Sequence, residues 1–336
     1  MKTVILTISK FNGTIWLIIS LLFIIPLILF LLKKDYWSIF SIAAVVLSQL
    51  IIILNWQDAK FGTIINVILL IISIIAYSSS RYYNQYLNDV RTNLTQNEYF
   101  QDSLLSETDI QHLPDPVKKY LSYTGCLGKP KVNNFKIEFT GQIRKDEQSE
   151  WMSFTSEQYN FMEIPTRLFF MKAVMKGLPV AGYHLYKNGM AYMDIRLLSL
   201  IKVQYQDGEK MNKAETVTFF NDMCCMAPAT LIDKRISWQV INDNVVKARF
   251  TNNGITISAD LFFNPMGELI NFKSNDRYNV DAKMELPWAT PLKNYKEVNG
   301  YKLAGYAETI YSYPDRDLCY GTFEVLSIKY NCNNTN

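Results

Sequence analysis

Two acidic clusters are the first candidates for chemistry. Glu215 and Asp222 stand seven residues apart in a run with helical spacing, so they share one helix face, with Asn221 beside them. Asn275-Asp276-Arg277-Tyr278 follows a strand-like run. Paired carboxylates held close in a pocket do acid–base work. The plainer use is structural, with Asp222 or Asp276 ion-paired to an arginine such as Arg277 or Arg235, and this is the expectation adopted.

Other chemistry finds less support. The chain has two histidines, His112 and His184, and no HExxH, CxxC or paired His/Cys spacing, so no metal site and no cofactor are expected. GxSxG, P-loop and GxGxxG motifs are absent, which argues against common hydrolases, nucleotidases and dinucleotide enzymes. Asp315-Arg316-Asp317 follows Pro314 and reads as an ordinary turn rather than a cation site. Five cysteines form no disulfide framework. The adjacent Cys224 and Cys225 point about 100° apart on a helix and read as small buried hydrophobes. No catalytic residue is assigned, and the chain is not read as an enzyme.

What must position these residues shows in the charge distribution. The mean hydropathy of −0.02 averages two populations. Residues 1–80 hold Lys2, Lys10, Lys33, Lys34, Asp35, Asp58 and Lys60, which carry the whole net charge of +3. The remainder balances 29 basic against 29 acidic groups, which excludes a basic nucleic-acid binder.

Ile15–Leu32, Tyr36–Trp56 and Phe61–Tyr77 are uncharged runs long enough to span about 30 Å of hydrocarbon. None shows a polar face. Trp16, Tyr36, Trp37, Trp56, Phe61 and Tyr77 mark their ends as interfacial aromatics do. Short connections force an up-down-up bundle, with a kink at Pro26. Basic residues divide evenly between the two sides, so the positive-inside rule gives no orientation.

The domains read as a three-helix membrane region over 1–80, a polar connector over 81–112, and an antiparallel β domain over 113–332. Asp115 and Pro116 open a short helix that Gly125 stops. From Lys131 the period becomes two, and Asn253-Gly254, Asn299-Gly300 and similar pairs punctuate the runs as hairpin turns. About eleven to thirteen strands are expected: five or six over 131–206, four over 236–274 and three over 292–330. One helical insertion at about 212–233 breaks before Pro228, and a helix set against so large a sheet is expected to fill its concave face.

The runs LPDPVKKYLSYTG (113–125), FFNDMCCMAPATLIDKRISW (219–238), SADLFFNPMGELINFKSNDRY (258–278), PWATPLKNY (287–295) and YGTFEVLSIKYN (320–331) resemble an uncharacterised bacterial family, a domain of unknown function found behind N-terminal membrane helices. The resemblance spans residues 110–331 and brings no activity with it. A long antiparallel sheet around an inserted helix is similar, at the level of fold, to the half-barrels of LolA/LolB lipoprotein carriers. That resemblance implies a hydrophobic ligand, a lipid or acyl chain, and a β domain on the extracytoplasmic side of the bacterial inner membrane. Lining candidates are Phe169, Met171, Phe219, Phe220, Met223 and Met226, with Asn221, Asp222, Asp276 and Arg277 as polar anchors. The lipid bilayer is the expected partner. The alternatives are an envelope scaffold without ligand, or a hydrolase using Asp222 and Asp276. Oligomeric state is not legible.

Overall fold

The computed structural model describes residues 10–96 and 103–335, which form two compact units. The first runs to Gln85 and includes Leu198–Leu200. Its helices are α1 (Lys10–Leu22), α2 (Ile24–Leu31), α3 (Trp37–Leu54), α4 (Trp56–Ala59) and the beginning of α5 (Gly62–Gln96). The break between α1 and α2 falls at Phe23, just after Leu22, the residue four before Pro26. A proline ring clashes with that carbonyl and donates no hydrogen bond. Three segments, Gly13–Leu31, Trp37–Leu54 and Gly62–Gln96, are long and apolar enough to cross a membrane.

The expectation that no span carries a polar face is corrected here. Ser38, Ser41, Ala44 and Ser48 recur along one buried stripe of α3. Ser73 Oγ donates to Ser41 Oγ at 2.7 Å, and Asn66 of α5 joins Ser48 and Gln49 at 3.0–3.1 Å. Between apolar helices such small polar residues permit close approach and bond across the seam. The stripe is too narrow to lower the hydropathy of the run.

The second unit, Tyr86–Leu197 with Ile201–Asn336, holds the end of α5, α6 (Glu107–Ile110), α7 (Asp115–Thr124), and one 13-stranded antiparallel sheet. Pro114 occupies the N-cap of α7, so Asp115 lies inside the helix and pairs with Lys118 instead of capping. Gly125 ends it in the left-handed conformation, φ 69°. The strands are β1 (Asn134–Ile143), β2 (Met152–Phe161), β3 (Thr166–Met175), β4 (Leu178–Lys187), β5 (Met190–Leu197), β6 (Ile201–Asp207), β7 (Ile236–Asn242), β8 (Val245–Asn252), β9 (Ile255–Phe263), β10 (Leu269–Asn279), β11 (Met284–Val298), β12 (Tyr301–Ser312) and β13 (Asp317–Tyr330). β11 starts earlier than the sequence pattern suggests, because Pro287 and Pro291 hide it. Both are accommodated in a strand whose register against β10 shifts nearby.

The order is β6-β5-β4-β3-β2-β1-β13-β12-β11-β10-β9-β8-β7. Two meanders therefore run outward from a central β1–β13 seam, and β6 and β7 are the free edges. The connection between those edges is α8 (Glu209–Met226) followed by a 3-10 turn at Pro228–Ile232. α8 touches β4, β5 and β6 of one arm and β9, β10 and β12 of the other. The sheet curls around it far enough for Asn252 of β8 to donate to Tyr186 of β4 at 2.7 Å. This is a curled half-barrel with its helix in the concave face. Fourteen of the eighteen residues of α8 are buried, so its sequence shows no amphipathic stripe.

Candidate functional site

Alternation places odd-numbered residues of β1 and their register partners on the inner face. Phe139, Ser156 and Met171 line up across β1–β3, and Ile137, Gln158, Phe169 and His184 across β1–β4. Against them, Phe219 and Phe220 of α8 stack on Phe250 with centroids 6.0 and 5.4 Å apart, and Phe220 meets Phe272 edge-on at 5.8 Å. The expected lining residues Phe169, Met171, Phe219, Phe220, Met223 and Met226 are thus all buried in one core, packed on one another and on the facing strands.

A charged cluster sits in the same interior. Arg167 of β3 donates from Nη1 to Glu215 at 3.1 Å and from Nε to Asp222 at 2.8 Å. The seven-residue spacing on α8 brings both carboxylates to one guanidinium. Asp222 Oδ2 also accepts from Gln158 at 2.8 Å and Asn160 at 3.1 Å, and Gln158 Oε1 accepts from Arg167 at 3.0 Å. Burial pushes the Asp222 carboxyl up, opposed by Arg167 and Asn160. The expected partners Arg277 and Arg235 are corrected: Arg235 pairs with Asp233, and the arginine of Asp222 comes from β3, 55 residues earlier. Nothing local in sequence marks such a contact.

Asp276 is held elsewhere. It accepts from the backbone N–H of Ser258 at 2.7 Å and pairs with Lys213 at 3.1 Å. It shares no partner with Asp222. Asn221 turns along its own helix toward Cys225 Sγ, 3.5 Å away. Cys224 and Cys225 are buried and free, and burial pushes both thiols well up. No group of three metal-ligating side chains occurs among the described residues.

Arg277 is the exception in this interior. Its guanidinium lies 4.6 Å from the Trp288 ring and 5.4 Å from the Tyr311 ring. It donates to Thr218 Oγ1 at 3.3 Å and to the Tyr311 hydroxyl. Among the described residues it makes no ion pair, and part of its surface is accessible. Tyr311 stacks on Tyr320, whose hydroxyl accepts from Trp288 Nε1 at 3.0 Å. Burial declines along the strands toward this end. On β1 it falls from Phe135 and Ile137 to half-buried Ile143, and on β13 from Ile328 and Val325 to half-buried Phe323 and Tyr320. Met152 and Ile195 are half-buried on the same inner face. The region is an aromatic and aliphatic rim with one unpaired cation. Of its members, sequence reasoning named only Arg277. The rim arises from strands far apart in the chain.

His184 lies half-buried on the inner face, edge-on to Phe169 at 5.5 Å. Desolvation, helped by Arg167 and Arg277 against Glu215, pushes its pKa down to about 4. The folded state therefore binds fewer protons than the unfolded chain between about pH 4 and pH 6.5, and stability falls as pH drops through that window. We expect lowering the pH from 6.5 to 5 to cost about 1–2 kcal/mol, with allowance for partial exposure. His184→Gln should remove that loss in thermal unfolding at the two pH values. An equal loss in the variant would assign it to other groups.

A family described as of unknown function, DUF6544, matches residues 103–323. No curated protein matches the chain. Similar solved structures include a LolA superfamily protein from Nitrosomonas europaea, at 8% identity and TM-score 0.36, covering 65% of this chain and 92% of that one. A putative outer membrane lipoprotein-sorting protein domain from Vibrio parahaemolyticus has 9% identity and TM-score 0.35, covering 59% and 86%. A DUF1329 family protein from Desulfovibrio piger has 7% identity and TM-score 0.38, covering 68% and 94%. The family match takes in α6, α7, β1 to β12, the Arg167–Glu215–Asp222 cluster and the first half of β13, and the chain belongs to the DUF6544 family of unknown function.

Proposed function

We propose that the half-barrel is a membrane-tethered binding module for an amphipathic ligand, a lipid or acylated molecule with an acidic head. The observation that carries this reading is Arg277. A guanidinium is always charged and is costly to hold inside a protein without an anion. Here it rests on two aromatic faces near Tyr320, with no carboxylate within 4 Å among the described residues and Glu215 acting on it only from farther off. Apolar walls with one or two placed polar groups are the usual composition of a lipid site. Ser156 Oγ, buried on the inner face of β2 without a partner among the described residues, is a second polar group of this kind. The module would work at the bacterial envelope, with the β domain outside the cytoplasm. The three apolar helices support the membrane, and the compartment rests on the carrier resemblance alone.

The test is purification in mild detergent, native mass spectrometry, and titration with a fluorescent fatty acid. Co-purified lipid and saturable binding are expected, and Arg277→Gln should weaken binding about tenfold or more by removing the charge-assisted contact. Absence of both lipid and saturable binding sinks the proposal. It would favour the scaffold reading, which draws on the close packing of Phe219, Phe220 and Met223.

A further inference from the structure

We infer that one end of the half-barrel docks on the surface of an anionic lipid bilayer through the tips of two hairpins. β3 and β4 are joined by Lys176-Gly177, both at positive φ (50° and 81°), a tight two-residue turn. Val174, Met175 and Leu178 are the last and first strand residues at this turn, and they stand exposed at the tip of the β3–β4 ladder. The first strand residues after the β5–β6 turn add Ile201 and Val203. These five side chains are 42–59% exposed. Strand polarity puts the two turns at the same end of their arm, away from the Lys187–Met190 turn. Isolated exposed apolar residues are ordinary, but five on neighbouring tips form a patch that a soluble surface rarely shows.

The charge around the patch selects its occupant. Segments 172–179 and 201–206 contain Lys172, Lys176 and Lys202 and no aspartate or glutamate, and among the described ion pairs Lys202 meets the carboxylate of Asp194 of β5 at 3.9 Å. All three lysines are exposed. Apolar tips ringed by lysine suit an interface in which side chains enter the headgroup layer and ammonium groups meet anionic lipid. A protein partner of the same apolar character would need acidic groups to match the lysines. A bilayer needs only its own anionic fraction.

Inside the β domain the end of α5 runs away from these tips. Within this unit Tyr86 packs on Phe170 and Tyr183, at 5.4 and 5.6 Å, whereas Asn93 and Gln96 bond to Lys187. Within the unit, the helix therefore travels along β4 away from the Lys176-Gly177 turn. The half-buried rim at Ile143, Met152 and Ile195 lies at that end of its strands as well, so a docked domain would present the rim to lipid. Exposure and charge carry this docking, which holds whether or not the interior takes a ligand.

The experiment uses the full chain in vesicles, with the photo-crosslinking amino acid benzoylphenylalanine in place of Met175, Ile201 or Met190. Met190 is the control, since it is 66% exposed and apolar but belongs to the opposite turn. In vesicles containing phosphatidylglycerol, lipid adducts at Met175 and Ile201 should exceed those at Met190 about fivefold or more. Changing Lys172, Lys176 and Lys202 together to glutamate should lower the adducts at Met175 about fivefold or more. Equal yields at all three positions, or adducts only to a second copy of the chain, would overturn the inference. So would tip adducts that the charge reversal leaves unchanged.

Discussion

Arg167→Ala is expected to destabilise the β domain by about 3–5 kcal/mol, because it strands Glu215 and Asp222 in the interior without their shared cation. Arg167 is 8% exposed at its side chain and Glu215 2%, so water cannot replace the lost contacts cheaply. Truncation of one partner measures that penalty, and the worth of the whole cluster is a separate quantity. Replacing all three members by neutral residues of similar shape, Arg167→Met with Glu215→Gln and Asp222→Asn, should recover a large part of the loss. Chemical unfolding of the three proteins in detergent distinguishes the cases. If Arg167→Ala unfolds at the same denaturant concentration as the parent, the cluster is solvated and its assignment to the core is wrong.

Phe220→Ala is expected to cost a comparable amount, about 3–5 kcal/mol, from the transferred ring and the void it leaves. Phe220 is fully buried, parallel to Phe250 (interplanar angle 5°) and edge-on to Phe272. It joins α8 to β8 and β10 in one contact. The same substitution bears on ligand binding. A void beside Arg277's strand enlarges the apolar interior, so a variant that still folds should bind a fatty acid no more weakly than the parent. Weaker binding with unchanged stability would make Phe220 a ligand contact.

Sequence periodicity carried much of this architecture, for physical reasons visible at single sites. Ile255 to Phe263 alternates because β9 has one buried and one open face, and Asn253-Gly254 turns because both residues hold positive φ. Glu215 and Asp222 were legible as one helix face, since seven residues make two turns. Their partner was not, because the pairing with Arg167 depends on how far the sheet curls. Lys213, which holds Asp276 and Glu285, was missed for the same reason. The serine stripe of α3 escaped notice because four small residues barely change a run's hydropathy, although their spacing of three and four was available to read. The rim around Arg277 is assembled from β1, β2, β10, β11, β12 and β13, and no local pattern encodes such an assembly.

The β1–β13 seam has a consequence for synthesis. Every other strand pairing joins sequence neighbours, but Glu138 meets Ser327 across 189 residues. A ribosome adding about 5–20 residues per second leaves the outer edge of β1 unmatched for roughly 10–40 s. During that interval Phe135, Ile137 and Phe139 sit on an open edge of a kind that recruits other chains. Lys136 and Glu138 alternate with them and place charge on that edge while it waits. In the finished protein Lys136 pairs with Glu138 and Glu157 and has no further need to repel anything. A residue that looks like an ordinary ion-pair partner in the folded domain would thus serve first as a guard against aggregation in the nascent one.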